Sequence, residues 1–222
     1  MAGRVAGLLL AAGQGRRFGY PKALAPFGPP GPGDARRAPA GRPPAGRHWV
    51  ESALASLRDG GCDPVAVVLG AGADQVQAVA ELGGAVVVEH ADWSEGIGSS
   101  LRAGLSALTA IAGPGPPSPV SGSVADRRDL DAAVVLLVDT PGIGAEVVTR
   151  LMRLAGPEVL AVATYHGRPG HPVVLGRAHW SGVASLAVGD SGAREYLRQR
   201  PELVRRIPCE DIADGTDIDH CR

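Results

Sequence analysis

Cysteine is scarce in this sequence: Cys62, Cys209 and Cys221 are the only ones in 222 residues. Three thiols cannot build a disulfide scaffold, which excludes the small cross-linked secreted folds. A surplus of charge is missing too. Lys and Arg total 22 against 23 Asp and Glu, a formal net charge of -1, whereas domains that coat nucleic acid carry a basic excess. No apolar run approaches the roughly 20 residues that a membrane-spanning helix requires. The opening residues are apolar only from Val5 to Ala12, then turn to Gly, Gln and Arg without a small-residue cleavage site, so they do not read as an export signal. Glycine (32) and proline (19) are plentiful, but no G-X-Y period orders them and collagen is excluded. The expectation is a cytoplasmic protein with reduced thiols and neither nucleic-acid nor membrane partners.

What is present suits one generous domain spanning 1–222. With 45% hydrophobic and 20% charged residues the chain can bury a proper core. Val5–Leu10 is a continuous apolar run ending in small residues, the mark of a strand buried on both faces. Val65–Leu69, Ala85–Val88, Ala132–Val138 and Val159–Ala163 are four more such runs. Helical patterns lie between them at His48–Arg58, Ala73–Leu82, Ser99–Ile111 and Glu146–Leu154. This alternation predicts a three-layer α/β/α, Rossmann-like domain around a mostly parallel sheet. After His166 the rhythm changes, with short strands at Pro172–Leu175 and Val204–Ile207 and a helix at Gly192–Arg200, so antiparallel strands are expected there. Two stretches fall outside the pattern. Gly28–Arg47 holds six Pro, five Gly and four Arg in twenty residues, and Gly113–Ser123 reads GPGPPSPVSGS. Such compositions bury little, so flexible surface insertions are expected at 28–47 and 113–131.

The first motif follows the first predicted strand: Leu10-Ala-Ala-Gly-Gln-Gly-Arg-Arg-Phe-Gly-Tyr-Pro-Lys22. Small residues at a strand's C-terminal end leave backbone N–H groups free to cradle phosphate, and Arg16, Arg17 and Lys22 add positive charge. It is neither a Walker A loop nor GxGxxG, since the third glycine falls at Gly19. Ala132–Pro141 is a buried strand delivering Asp139 at its C-terminal end, the edge where open α/β sheets bind ligands; Pro141 stops the strand. Gly96–Ser100 opens a helix whose hydroxyls and free N–H groups suit an anion or a simple cap. His171 stands before a proline on a loop entering a strand, and Arg194 opens a helix. Asp217-Ile-Asp219 closes the chain; alternation turns only one of its carboxylates toward any given site. DIADGTDIDH lacks the ligand spacing of an EF-hand. His166, His171, His179 and the cysteines follow no zinc spacing.

LLLAAGQGRRFGYPKALAPFG resembles the opening of the MobA-like nucleotidyltransferases, most closely the molybdenum cofactor cytidylyltransferases. The pattern LAAG-x-[SG]-x-R-[MF]-G-x-x-K falls on Leu10, Ala11, Ala12, Gly13, Gly15, Arg17, Phe18, Gly19 and Lys22. The resemblance implies that Leu10, Ala11, Ala12, Gly13, Gly15, Arg17 and Lys22 hold a nucleotide, with Arg17 and Lys22 serving catalysis. Ala12, where guanylyltransferases carry glycine, tips the base toward cytosine. Trp93–Gly104 is similar to the family's W-x-x-G-x-x-x-S-[LI]-R-x-G, which implies nucleotide contacts at Gly96, Ser99 and Ser100. Asp139-Thr-Pro is similar to the family's metal-binding D-[MTQ]-P. Asp217-Ile-Asp219 matches the start of D-I-D-T-P-E-D but ends in His220-Cys221-Arg222; Asp219, then Asp217, is the second metal ligand this implies. His171 and Arg194 fall in segments that face the acceptor. The resemblance thus implies a Mg²⁺-dependent transfer of CMP from CTP to a molybdopterin-type phosphate, with a molybdoenzyme or chaperone as further partner. Another phosphorylated acceptor, GTP as donor, or an inactive nucleotide-binding module in cofactor delivery remain open alternatives.

Overall fold

The computed structural model describes residues 4–15, 19–25, 47–113 and 129–218. These form a seven-stranded sheet in the order β3-β2-β1-β4-β6-β5-β7. The strands are β1 (Arg4–Ala11), β2 (Val65–Leu69), β3 (Val86–Glu89), β4 (Leu130–Leu137), β5 (Leu160–Tyr165), β6 (Arg168–Gly176) and β7 (Val204–Pro208). All neighbouring pairs are parallel except those made by β6, which runs antiparallel between β4 and β5. The α-helices are α1 (Trp49–Asp59), α2 (Ala73–Val79), α3 (Ile97–Ala112), α4 (Ala145–Met152), α5 (Trp180–Leu186) and α6 (Arg194–Arg198). The three-layer, mostly parallel α/β/α architecture is the one predicted.

Alternation along β1 divides the core in two. Val5, Leu9 and Ala11 pack with residues of α1 and α4 on one face. Ala6, Leu8 and Leu10 pack with α3, α5 and α6 on the other. Gly104 of α3 lies so close to the sheet that a Cβ there would sit 2.6 Å from a Leu8 methyl. Dense burial of this kind is what a strand lacking any polar residue after Arg4 requires.

The structure differs from the sequence reading at five elements. β3 is an edge strand with no fully buried residue, not a strand buried on both faces. β4 takes in Leu130 and Asp131, which had been assigned to the second insertion; otherwise 28–46 and 114–128 lie outside the described residues. α5 was missed because its seven residues WSGVASL bury only Trp180 and Val183, too few to register as a period. α6 is shorter than Gly192–Arg200 because Gly192, at φ 52°, breaks the helical path before it. Of the late strands, only β6 is antiparallel; β7 pairs in parallel with β5.

The contrast between centre and edge gives a stability test. Leu9, fully buried in β1, should cost about 2–5 kcal/mol as Leu9→Ala. Val86→Thr on the exposed edge should stay within about 0.5 kcal/mol. Urea unfolding of both variants checks the assignment.

Candidate active site

After β3 and β2 are laid on one side of β1, β4 joins its other side, so the strand order reverses between β1 and β4. A crevice opens at such a switch point, beyond the strand C-termini. The loop after β1 and the turn after β4 meet there. Val138 N–H donates to the Leu10 carbonyl at 3.1 Å, and the Lys22 ammonium reaches Asp139 Oδ2 at 3.0 Å. Both side chains are mostly buried, at 18% and 23% exposed. Asp139 Oδ1 is buried and has no hydrogen-bond partner among the described residues.

Lys22 is held there from two directions. Ala23 and Leu24, in the same short 3-10 turn, are fully buried in the core beneath it. Above it the glycine loop folds back: Gly15, at φ +59°, lies so close that a Cβ would fall 2.3 Å from the Tyr20 carbonyl oxygen and 2.8 Å from the Lys22 nitrogen. Only glycine fits that approach. On the other side, the Thr140 hydroxyl donates to the Leu137 carbonyl at 2.8 Å and fixes the turn that aims Asp139. Leu10, Ala11 and Ala12 are buried at the end of β1, with Gly13 exposed beyond them. Arg17 and Asp219 lie outside the described residues.

The start of α3 is closely packed. A Cβ on Gly96 would collide with the Gly189 backbone and the Asp190 carboxylate. The Ser99 hydroxyl is buried and engaged internally, at 2.9 Å from His90 Nε2 and donating to the Asp92 and Gly96 carbonyls. Ser100 is buried too. Neither serine joins the residues lining the main cavity.

That cavity, about 1070 Å³, brings together Leu10, His171, Arg194 and Asp217. Its floor is the sheet face, with Val135, Val162, Val173 and Leu175. Arg168, Arg198 and Arg206 also line it, together with Asp190 and Asp214. Arg168, Asp190 and Asp214 lie inside stretches singled out in the sequence for other residues, while Arg198 and Arg206 lie outside every motif. β5 and β6 are joined at His166 and Gly167, both at positive φ, 50° and 78°, the geometry of a two-residue hairpin turn. This hairpin sets Arg168 and His171 at the cavity. Burial holds the His171 imidazole below its ordinary value; the Val135 carbonyl and the Asp139 and Asp217 carboxylates oppose it only partly. The ring is therefore neutral near pH 7, with Nδ1 at 3.4 Å from the Val135 carbonyl.

The donor set fits a hard divalent cation. Asp139 offers an orphaned carboxylate oxygen, and Asp217, which lines the cavity, directly precedes Ile218, whose N–H donates to the Asp139 carbonyl at 2.9 Å. Mg²⁺ is commonly held by one or two carboxylates, leaving room for phosphate oxygens and water. Among the described residues no three His, Cys, Asp or Glu side chains converge on one point. Burial pushes the Cys62 thiol up to about 12, so it stays protonated at neutral pH.

A glycine loop and a buried Lys–Asp pair stand at the switch point of a doubly wound sheet, and the fold is that of the nucleotidyltransferases. The chain belongs to the MobA-like NTP transferase domain family, whose profile matches residues 7–204. It is 36% identical over 223 residues to nicotine blue oxidoreductase of Paenarthrobacter nicotinovorans, covering 97% of this chain and 92% of that one. A crystal structure of an Rv0371c homologue from Mycobacterium sp. strain JC1 superposes with TM-score 0.71 at 27% identity, covering 99% and 92% of the two chains. Rv0371c of Mycobacterium tuberculosis, 24% identical with TM-score 0.73 over 99% and 94%, shares the fold; it has also been solved with manganese.

The neutral state of His171 has a measurable consequence. Its folded pKa lies below the unfolded value of about 6.5. The unfolded chain therefore binds more protons between the two values, and stability falls as pH drops through that window. His171→Gln removes this contribution. The stability advantage of wild type over His171→Gln, measured by urea unfolding, should shrink as pH falls from about 7 to about 5.

Proposed function

We propose that this protein moves CMP from CTP to a phosphorylated acceptor of the molybdopterin type, releasing pyrophosphate. The observation that carries the reading is the orphaned, buried Asp139 Oδ1 beside Lys22, at the mouth of the glycine loop. An oxygen of the acceptor phosphate bonds to the α-phosphorus of CTP as the bond to the bridging oxygen of the pyrophosphate breaks. No covalent bond to the protein is required, so positioning and charge neutralisation do the work. Backbone N–H groups from Ala12 to Gly15 cradle the triphosphate, and Lys22 and Arg17 neutralise charge on the leaving pyrophosphate. Mg²⁺, held by Asp139 with Asp217 or Asp219, would polarise the α-phosphate. Gly96, Ser99 and Ser100 at the start of α3 contact the nucleotide, as the resemblance implies. His171 and Arg194 face the acceptor, Arg194 with its guanidinium at an anion. Such a reaction belongs in the cytoplasm with the nucleotide pool, and a molybdoenzyme or its chaperone would receive the product.

One observation favours a second reading: the relative 36% identical over nearly the whole chain is named as an oxidoreductase. On that reading the same loop holds the pyrophosphate of a nicotinamide dinucleotide, and hydride transfer needs no cation at Asp139. Oxidation of NADH or NADPH with nicotine blue as acceptor, unaffected in Asp139→Asn, would favour it over nucleotidyl transfer.

Pyrophosphate release, measured with each of the four nucleoside triphosphates and candidate acceptors, tests the main reading. Asp139→Ala should reduce turnover at least about a hundredfold with the fold retained by circular dichroism. CTP should be preferred to GTP by about tenfold or more, since a pocket that leaves one or two polar groups unpaired loses about 1–3 kcal/mol for each. An equal or inverted preference would remove the cytidylyl assignment and leave nucleotidyl transfer standing. No release with any triphosphate would remove both.

A further inference from the structure

We infer that Tyr165 is a positioning residue for the Asp139 centre: its ring holds residues 213–218 across the site and so sets where Asp217 stands. The inference builds on the nucleotidyl-transfer reading above.

Tyr165 is the last residue of β5 and is 6% exposed. Its hydroxyl donates to the His171 carbonyl at 2.7 Å, tying the ring to β6, which carries the imidazole within the strand and not on the loop expected from sequence. One edge of the ring lies against two glycines. A Cβ on Gly170 would stand 3.0 Å from the ring, and a Cβ on Gly215 would fall 2.1 Å from Cδ2, far inside contact distance. Gly215 also has φ +68°. The C-terminal segment can therefore lie on this ring only because residue 215 has no side chain.

The segment is fastened at both ends as well. Upstream, Arg150 makes a two-pronged pair with Asp211 at 2.6 and 2.7 Å and donates to the Pro208 carbonyl at 2.8 Å. Next, Asp214 Oδ1 accepts the Thr216 N–H at 2.9 Å, closing a turn around Gly215. Downstream, Ile218 N–H donates to the Asp139 carbonyl at 2.9 Å. Asp217 thus sits between a residue clamped by Tyr165 and one bonded to the backbone of Asp139. Asp217 lines the same cavity as His171 and directly precedes the residue whose amide is bonded to Asp139, which brings it to the Asp139 end of that cavity. A residue that orients a metal ligand without touching the ion commonly changes affinity by about 10–100-fold when replaced.

Two measurements on the full chain test this without relying on turnover: hydrogen exchange of the Ile218 amide, and affinity for Mn²⁺ alone by the electron paramagnetic resonance signal of the free ion. Tyr165→Leu and Gly215→Ala should each expose the Ile218 amide to exchange and weaken Mn²⁺ binding by about tenfold or more. Tyr165→Phe, which keeps the ring and loses only the hydroxyl bond, should restore both toward wild type. Gly215→Ala lies on the surface segment and leaves the core intact, so it decides the matter if Tyr165→Leu fails to fold. Faster exchange at Ile218 with unchanged Mn²⁺ affinity would overturn the inference. So would unchanged exchange in Gly215→Ala. A wild-type chain that holds the Ile218 amide firmly yet binds no Mn²⁺ would instead remove the metal reading of Asp139, and this proposal with it.

Discussion

A carboxylate three-quarters buried at the end of a hydrophobic strand is costly unless a positive charge stands beside it. Lys22 supplies that charge to Asp139 across the β1–β4 seam, and much of the local architecture serves to keep it there. Ala23 and Leu24 sink into the core to anchor the lysine from below. Gly15 gives up a side chain so that the loop can close over it. Thr140 locks the turn on the aspartate's side. The pairing uses only one carboxylate oxygen, and the other stays available for chemistry.

The charges around the large cavity follow a related logic. Arginines from β6, β7 and α6 face it together with aspartates from the 189–191 turn and the C-terminal segment, so no single sign dominates. Between them stands an imidazole kept neutral by its own burial. The floor beneath is aliphatic sheet surface. A ligand suited to this space has a compact, weakly polar body and at least one anionic group.

Fold class and strand count were legible because each apolar run falls on a strand, Val65–Leu69 residue for residue and the others with shifted ends. Asp139 was legible because it stands two residues beyond the end of β4, whereas Lys22, eleven residues past β1, was legible only through the motif that spans Leu10–Lys22. What periodicity could not reveal was lateral order. β3 reads as apolar as β2, yet it lies at an edge, and nothing in VVVE announces that no strand follows. Ser99 illustrates a second limit. A hydroxyl at a helix start looks the same in sequence whatever it bonds, and here its partners are His90 and two carbonyls. Tyr165 was invisible because its importance comes from two glycines, one of them fifty residues downstream.

The position of β4 has a consequence for biosynthesis. β1 and β2 pair through a crossover that is complete by residue 69, but β4 must reach past them to β1's far side, and β6 and the C-terminal segment are added later still. Pairings so distant in sequence form slowly and after local ones. On the ribosome the first strands emerge with one flank of β1 uncovered, exposing Leu8-Leu-Leu10 and an unsatisfied strand edge until more than half the chain has been made. The Lys–Asp pair is therefore closed late in synthesis, and an incomplete chain presents a sticky strand in place of a catalytic crevice.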